Sequence, residues 1–269
     1  MKILNILILS AFVQPMMAQT IQRQEIYSAK MKKDIPTIIV TPELKKDVRY
    51  KTVYILHGYS GNPERTIQSD IPDLQQKAND YSTIYVIPDG NYNSWYVDSP
   101  IDSSSQYKTF IGEELVHYID KHFPTEVDRS KRGILGWSMG GYGAMHIGVA
   151  YPKTFSIVGS SCGALNFELL GENYQNYQVN KVLGDFLSLD ATYKIYENEN
   201  KMKTNHQFYI LDCGTEDVEM LEMNRVFHQH LTDKNIKHLY IESDGSHNTN
   251  YWSKSLTNQL ALFQNYFGK

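Results

Sequence analysis

The chain has 269 residues, a length typical of one large α/β domain. Its 26 basic and 30 acidic side chains give a formal net charge of −4, and no basic cluster stands out that could follow a nucleic-acid backbone. Two cysteines, Cys162 and Cys213, are too few for a disulfide framework and too far apart in sequence for a typical zinc site, and the sequence leaves open whether they are bonded or free.

The N-terminus has the features of a secretory signal peptide. Lys2 precedes an apolar run over residues 3–13, and the small residue Ala18 follows a few positions later. The run is too short to cross a bilayer, which takes roughly 20 apolar residues. We therefore predict a signal peptide over residues 1–18, the alternative being a buried first helix. Its removal takes away Lys2, which changes the net charge from −4 to −5.

The mature chain, residues 19–269, is expected to be secreted or periplasmic, with no membrane anchor. Segments rich in Val, Ile and Tyr alternate in it with amphipathic segments. An antiparallel pair is predicted first, over residues 25–31 and 36–42. Buried strands are then predicted over residues 52–56, 83–87, 133–135, 155–158, 207–211 and 238–241. Helices are predicted over residues 110–122, 141–151 and 219–231.

This alternation predicts an α/β fold with a mostly parallel central sheet of about eight strands and helices on both faces. The segment over residues 166–205 matches no strand or helix pattern, being polar and rich in tyrosine. It is either a cap over a binding site or an ordinary insertion.

A serine lies at the tip of a predicted strand–turn–helix unit. Residues 136–140 read G-W-S-M-G, the pattern G-x-S-x-G, with an apolar strand before them and a helix of small residues after them. Gly136 and Gly140 remove the side chains that would collide in so tight a turn. The turn therefore presents the Ser138 hydroxyl at the carboxyl edge of the sheet, beside a helix N-terminus that favours developing negative charge.

A serine hydroxyl is a weak nucleophile until a base takes its proton. His247 is the predicted base, because it lies in a turn-rich loop after the last predicted strand. Asp217, which follows the preceding strand and a glycine turn, is the predicted acid, with Glu216 in reserve. Asp212 is expected to bond the backbone of its loop. The chain order serine, aspartate, histidine is that of the α/β-hydrolases.

An oxyanion hole is the third requirement of acyl transfer. One predicted donor is the backbone N–H of Met139, directly after the serine. The other is the N–H of Tyr59, because Gly58 before it permits close approach of the backbone. The alternative is that residues 57–61 are only a glycine-rich strand exit.

These segments recur together in one known group of proteins. They are H-G-Y-S-G at residues 57–61, N-S-W-Y-V-D at 93–98, G-W-S-M-G-G at 136–141, D-C-G-T-E-D at 212–217, G-S-H at 245–247 and Y-W at 251–252. In this order they resemble the esterase D group of serine esterases, over about residues 27–267. That group is similar to the feruloyl and acetylxylan esterases of the first carbohydrate esterase family, to tributyrin esterases and to mycolyltransferases.

The resemblance implies an α/β-hydrolase fold, a triad of Ser138, Asp217 and His247, oxyanion donors at Tyr59 and Met139, and no metal or organic cofactor. Together with the predicted signal peptide, it carries the expectation of a secreted esterase acting on feruloyl or acetyl esters of plant polysaccharide, or on other small acyl esters. An acyltransferase or a siderophore-ester hydrolase would use the same triad. A catalytically dead carbohydrate-binding protein is the alternative of another class.

Four aromatic residues lie close in sequence to the predicted site: Trp95, Tyr96, Tyr142 and Trp252. Flat rings suit aromatic acids and sugars, so Trp95, Tyr142 and Trp252 are predicted substrate contacts, and a core role is the alternative. The expected partner is a small-molecule or polysaccharide ester and not a nucleic acid.

Overall fold

The computed structural model describes residues 20–190 and 193–268, so the predicted signal peptide lies outside the described residues. In the described part of the chain the central element is an eight-stranded sheet with the order β1-β2-β4-β3-β5-β6-β7-β8. Its strands are β1 Ile21–Ser28, β2 Lys33–Val40, β3 Lys51–Leu56, β4 Thr83–Pro88, β5 Arg132–Trp137, β6 Ile157–Ser161, β7 Phe208–Gly214 and β8 His238–Ser243.

The sheet is parallel from β4 onwards and antiparallel at its start. β2 pairs antiparallel with both β1 and β4, and each later neighbour pair is parallel. The central strands β4 and β5 are buried along their whole length, as expected for parallel strands covered on both faces. The predicted α/β fold with a mostly parallel sheet of about eight strands is therefore confirmed.

The strand bounds differ from the predicted ones at several ends. β1 begins four residues before the predicted residue 25, and β5 and β7 continue through glycine and polar residues to the site. β6 is shifted towards Ser161, because the N–H of Phe155 closes a turn onto the carbonyl of Tyr151 instead of joining the sheet.

The helices lie on the two faces of this sheet. They are α1 Pro63–Arg65, α2 Leu74–Tyr81, α3 Tyr107–Thr109, α4 Val116–His122, α5 Met139–Ala150, α6 Asn173–Asn176, α7 Val179–Leu183, α8 Glu199–Thr204, α9 Leu221–Asp233 and α10 Thr249–Phe267. π-helical turns at Thr66–Asp70 and Phe110–Leu115 extend α1 and join α3 to α4. Short 3-10 turns lie at Arg129–Lys131, Phe167–Leu170, Phe186–Ser188 and Ile195–Asn198.

The alternation of side chains along each strand divides the core into two layers. Tyr54 and Leu56 of β3 point into the layer covered by α4, α5 and α9, whereas Val53 and Ile55 point into the layer covered by α2 and α10. Neither α2 nor α10 is among the helices predicted from the sequence. Within the described residues no helix is both long enough and apolar enough to span a bilayer.

Candidate active site

The turn between β5 and α5 holds Ser138 in a backbone conformation that residues other than glycine rarely adopt. Its φ is 54° and its ψ is −121°, which is the strained geometry that clusters at active sites. A Cβ at Gly140 would lie 2.1 Å from the carbonyl oxygen of Leu56, and one at Gly136 would lie 2.3 Å from that of Gly140. The two glycines therefore let β3, β5 and α5 approach closely enough to raise the serine above the sheet edge.

Ser138, His247 and Asp217 lie in one line of hydrogen bonds. The Ser138 hydroxyl is 2.9 Å from Nε2 of His247, and Nδ1 of the same ring is 2.7 Å from Oδ2 of Asp217. With the proton on Nδ1, the ring donates to the carboxylate and accepts from the serine. The structure thus brings together three residues that are 30 and 109 positions apart in sequence.

The imidazole and the carboxylate shift each other's pKa. Burial lowers the pKa of His247, but the hydrogen bond and negative charge of Asp217, with a smaller contribution from Cys162, raise it by more, so the net shift is upward. Burial raises the pKa of Asp217, but the hydrogen bond and the charge of His247 lower it by more. The net shift of the Asp217 pKa is therefore downward. The pair favours an ionised carboxylate and stabilises the protonated ring.

Backbone donors orient the carboxylate of Asp217. Its Oδ1 accepts from the N–H of Met220 at 3.0 Å and of Glu219 at 3.3 Å, and the side chain is fully enclosed. Glu216, the reserve candidate, has an exposed side chain, and its backbone N–H donates to the carbonyl of Gly245 at 2.9 Å. That bond joins the loop of the acid to the loop of the histidine.

Asp212 has a different role from the predicted one. Its carboxylate accepts from four side chains and not from the backbone of its loop: Ser161, Tyr251, Ser255 and Gln259. Complete burial raises its pKa, and these hydrogen bonds counteract the effect. Since Tyr251, Ser255 and Gln259 belong to α10, Asp212 fastens that helix to the end of β7.

The predicted oxyanion donors flank the serine. Met139 is the first residue of α5, where backbone N–H groups have no partner within the helix. A Cβ at Gly58 would lie 3.4 Å from Cβ of Ser138, so the backbone that leads into Tyr59 lies next to the serine. Backbone at both predicted positions therefore lies beside the serine, where donors to an oxyanion are needed.

His57 shapes this loop. Its Nε2 accepts from the N–H of Gly90 at 2.8 Å and its Nδ1 lies 2.9 Å from the carbonyl of Gly58, which places the ring proton on Nδ1. The ring is fully buried. His57 thereby ties the loop before Tyr59 to the end of β4.

A cleft of about 540 Å³, partly open to solvent, lies over Ser138 and His247. Two of the predicted aromatic contacts line it, Trp95 and Trp252. The Trp252 ring meets the His247 ring edge-on at 5.1 Å between centroids. Five further residues of its lining were not predicted from the sequence: Arg65, Asp70, Trp137, Tyr177 and Met220.

The position of Tyr142 differs from the predicted one. It is 1% exposed, its hydroxyl donates to the carbonyl of Tyr193, and it lines a separate cavity beneath the segment over residues 166–205. Residue 142 lies one helical turn beyond the serine, on the face of α5 that packs into the core. Tyr96 is likewise buried, with its hydroxyl bonded to the carbonyl of His57.

Tyr177, in the segment over residues 166–205, lines the cleft. Its ring packs edge-on against Tyr59 at 5.3 Å, and its carbonyl accepts from the indole N–H of Trp95 at 2.9 Å. This portion of the segment therefore covers the site, as one of the two sequence interpretations has it. A polar, tyrosine-rich composition was the only signal for it in the sequence.

Both cysteines are free and buried. The Cys162 sulfur, a carboxylate oxygen of Asp217 and a ring nitrogen of His247 lie within 4.8 Å of one another, the spacing of a possible metal site. Burial, with further contributions from Cys213 and Asp217, raises the pKa of Cys162 well above its usual value, although a hydrogen bond with His247 counteracts it. A neutral thiol is a weak metal ligand, and His247 and Asp217 already bond each other.

Known proteins resemble this chain in sequence and in fold. An acetyl esterase from Caldicellulosiruptor saccharolyticus is 28% identical over 254 residues, which cover 86% of this chain and 93% of that protein. FphF, a fluorophosphonate-binding serine hydrolase from Staphylococcus aureus, superimposes with a TM-score of 0.81 at 19% identity, covering 91% of this chain and 98% of its own. A ferulic acid esterase superimposes with a TM-score of 0.77 at 20% identity, covering 92% of this chain and 98% of its own.

The two structural neighbours are similar in fold, and the family match extends over most of the chain. Residues 28–263 match the esterase family described as "Putative esterase", and this range contains β2 to β8, the G-x-S-x-G turn and the loops of Asp217 and His247. The chain therefore belongs to this family, and it is a serine esterase.

Proposed function

We propose that this chain is an exported esterase that hydrolyses acetyl, feruloyl or other small acyl esters, with Ser138 as nucleophile, His247 as general base and Asp217 as the orienting acid. The observation that carries the proposal is the unbroken line of hydrogen bonds from Ser138 Oγ through His247 to Asp217, at 2.9 and 2.7 Å, at the floor of a cleft. Nucleophile, base and orienting group at these separations are what acyl transfer to a serine requires.

In the first step His247 Nε2 takes the proton of Ser138 while Oγ attacks the ester carbonyl carbon. The N–H groups of Tyr59 and Met139 stabilise the oxyanion that forms, and one such donor contributes roughly 3 kcal/mol to transition-state stabilisation. The protonated ring then gives its proton to the departing alcohol, which leaves an acyl group on Ser138.

In the second step His247 takes a proton from water, and the resulting hydroxide attacks the acyl-enzyme. Collapse of the second tetrahedral intermediate returns the proton to Ser138 and releases the acid. Throughout, Asp217 stabilises the imidazolium through the Nδ1 hydrogen bond, without itself taking a proton. The steps involve only groups of the chain, the ester and water.

The substrate class is supported by the relatives and by the rings of the cleft. One relative is an acetyl esterase and one structural neighbour is a ferulic acid esterase. Tyr59, Tyr177 and Trp252 line the cleft with partly exposed rings, which suit an aromatic acyl group or a sugar, whereas Trp95 is 1% exposed.

Ser138→Ala tests the nucleophile. We expect hydrolysis of nitrophenyl acetate by the variant to fall by up to roughly 10⁶-fold, because the covalent step is lost, and labelling by a fluorophosphonate to disappear. The matched control is Ser104→Ala, at an exposed position, which should keep both properties. A Ser138→Ala protein that still takes up the label would contradict the assignment.

The acyl specificity is tested with methyl ferulate, acetylated xylan and tributyrin side by side. We expect turnover of at least one of the first two to exceed that of tributyrin. An added sugar acceptor that diverts the acyl group from water would instead indicate an acyltransferase.

A further inference from the structure

The segment directly after β6 lies between the turn of the nucleophile and the strand that leads to the acid. The carbonyl of Ser161 accepts from the N–H of Ser138 at 3.0 Å, and the N–H of Cys162 donates to the carbonyl of Asp212 at 2.7 Å. The backbone at residues 161 and 162 is thereby bonded to both sides of the site. The proposed mechanism gives Cys162 no part in the reaction.

The side chain of Cys162 reaches the base and the acid. Its sulfur, a ring nitrogen of His247 and a carboxylate oxygen of Asp217 lie within 4.8 Å of one another. The residue is fully buried, and its φ of 45° lies in the left-handed region that residues with a Cβ rarely adopt. Residues held in such conformations cluster at active sites, where the surrounding contacts keep them in place. A strained residue at the strand end thus carries a thiol to the contact between His247 and Asp217.

The chemistry of this thiol suits a supporting role and not that of a second nucleophile. Burial raises the pKa of Cys162 well above its usual value, so the thiol keeps its proton near neutral pH. A neutral thiol is a weak donor and a weak acceptor. It can donate to the carboxylate of Asp217 and accept from the ring of His247 without displacing the strong hydrogen bond between them.

A second thiol encloses the same carboxylate oxygen. Sγ of Cys213 lies 3.9 Å from Oδ2 of Asp217, the oxygen that bonds Nδ1 of His247 at 2.7 Å. The titratable groups that face His247 are Asp217, after β7, and Cys162, after β6, and Cys213 on β7 interacts with both of them. The imidazole is therefore the strongest donor to Oδ2, and the thiols hold the space around this contact.

We propose that Cys162 is a positioning residue of the esterase, whose thiol keeps the ring of His247 and the carboxylate of Asp217 in the orientation from which Nε2 reaches Ser138. The inference rests on the proposed function, because Cys162 acts through the proposed base. Cys162 itself touches no substrate and transfers no proton.

Cys162→Ala tests this role through the kinetics of nitrophenyl acetate hydrolysis. We expect kcat to fall by roughly 10-fold with KM nearly unchanged, because a displaced ring alters the reacting geometry and not the binding of the ester. The acid limb of kcat/KM should move to lower pH, because Cys162 contributes to the raised pKa of His247. This shift should be smaller than that of Asp217→Asn, which removes the charged partner.

Two further variants separate positioning from packing. Cys162→Ser keeps a group that donates and accepts hydrogen bonds, so it should regain most of the lost kcat and return the acid limb towards its wild-type position. Val158→Ala, at a buried residue of β6 in the same core layer, is the matched control. It should lower the melting temperature and leave kcat and the acid limb unchanged.

An acid limb that stays in place in Cys162→Ala, or equal losses of kcat in the alanine and serine variants, would show that the thiol only fills space. Either result would overturn the positioning role and leave the serine esterase intact. A wild-type protein that neither hydrolyses nitrophenyl acetate nor takes up a fluorophosphonate would contradict the proposed function itself.

Discussion

At the scale of single residues, the coupling of His247 to Asp217 controls when the site can react. The base must be neutral to take the proton of Ser138, so activity is lost as the pH falls through the pKa of His247. Asp217 raises that pKa by stabilising the imidazolium at 2.7 Å. The same contact that orients the ring therefore moves the loss of activity to a higher pH.

Asp217→Asn tests this coupling through the pH profile. We expect the acid limb of kcat/KM to have its midpoint above the usual histidine pKa of 6.5 in the wild type, and to move to lower pH in the variant. The maximal rate should fall by roughly 10⁴-fold, because the amide favours the wrong tautomer of His247. Glu216→Gln, at an exposed side chain, is the control. An unchanged midpoint in Asp217→Asn would refute the coupling.

At the scale of elements, α10 packs against the sheet and connects to the loop of His247. It begins two residues after His247, with the Asn248 side chain accepting from the N–H of Tyr251. Phe263 packs against Gly133 of β5, where a Cβ would lie 2.7 Å from the ring, and against Gly159 of β6. The glycines of two neighbouring strands thus create the space that the helix fills.

Phe263→Ala should destabilise the fold by about 4 kcal/mol, because the lost ring leaves a cavity that the glycine-lined strands cannot close. Urea unfolding followed by fluorescence measures the change in the free energy of unfolding. Asn258→Ala, at an exposed position of the same helix, should change it by less than about 0.5 kcal/mol. Equal effects of the two substitutions would show that α10 does not depend on this contact.

At the scale of the whole molecule, the described fold begins after the predicted export signal. β1 starts at Ile21, and the carbonyl of Thr20 accepts from the N–H of Thr41 at 2.8 Å. Removal of residues 1–18 would therefore leave every strand of the described sheet in place.

We expect a bacterial host with a secretory pathway to export the full chain and to release a protein that begins at Gln19. Intact-mass measurement of the exported protein checks the position of the cut. The matched variant lacks residues 2–18 and should stay in the cytoplasm with an unchanged melting temperature. Retention of the full chain in the cytoplasm with its first residues intact would contradict the predicted signal peptide.

The sequence by itself determined the features that depend on local spacing, namely the nucleophile turn and the buried strands. The G-x-S-x-G turn is recognisable because only glycine fits at positions 136 and 140, two residues on either side of Ser138. The apolar runs of β3, β4 and β5 indicate parallel strands buried on both faces. The carboxyl ends of such strands meet at one edge of the sheet. For that reason Asp217 and His247, each in a loop after a strand, could be predicted as neighbours of the serine.

Only the tertiary structure decided which side chains face the cleft. Tyr142 and Trp252 each lie within five residues of a triad member in sequence, yet Tyr142 is enclosed in the core and Trp252 contacts the ring of His247. Asp70 and Arg65 line the cleft because a π-helical turn packs against α10, and no sequence pattern marks these two residues. Contacts between segments far apart in the chain depend on how helices pack on the sheet, and local spacing does not record that packing.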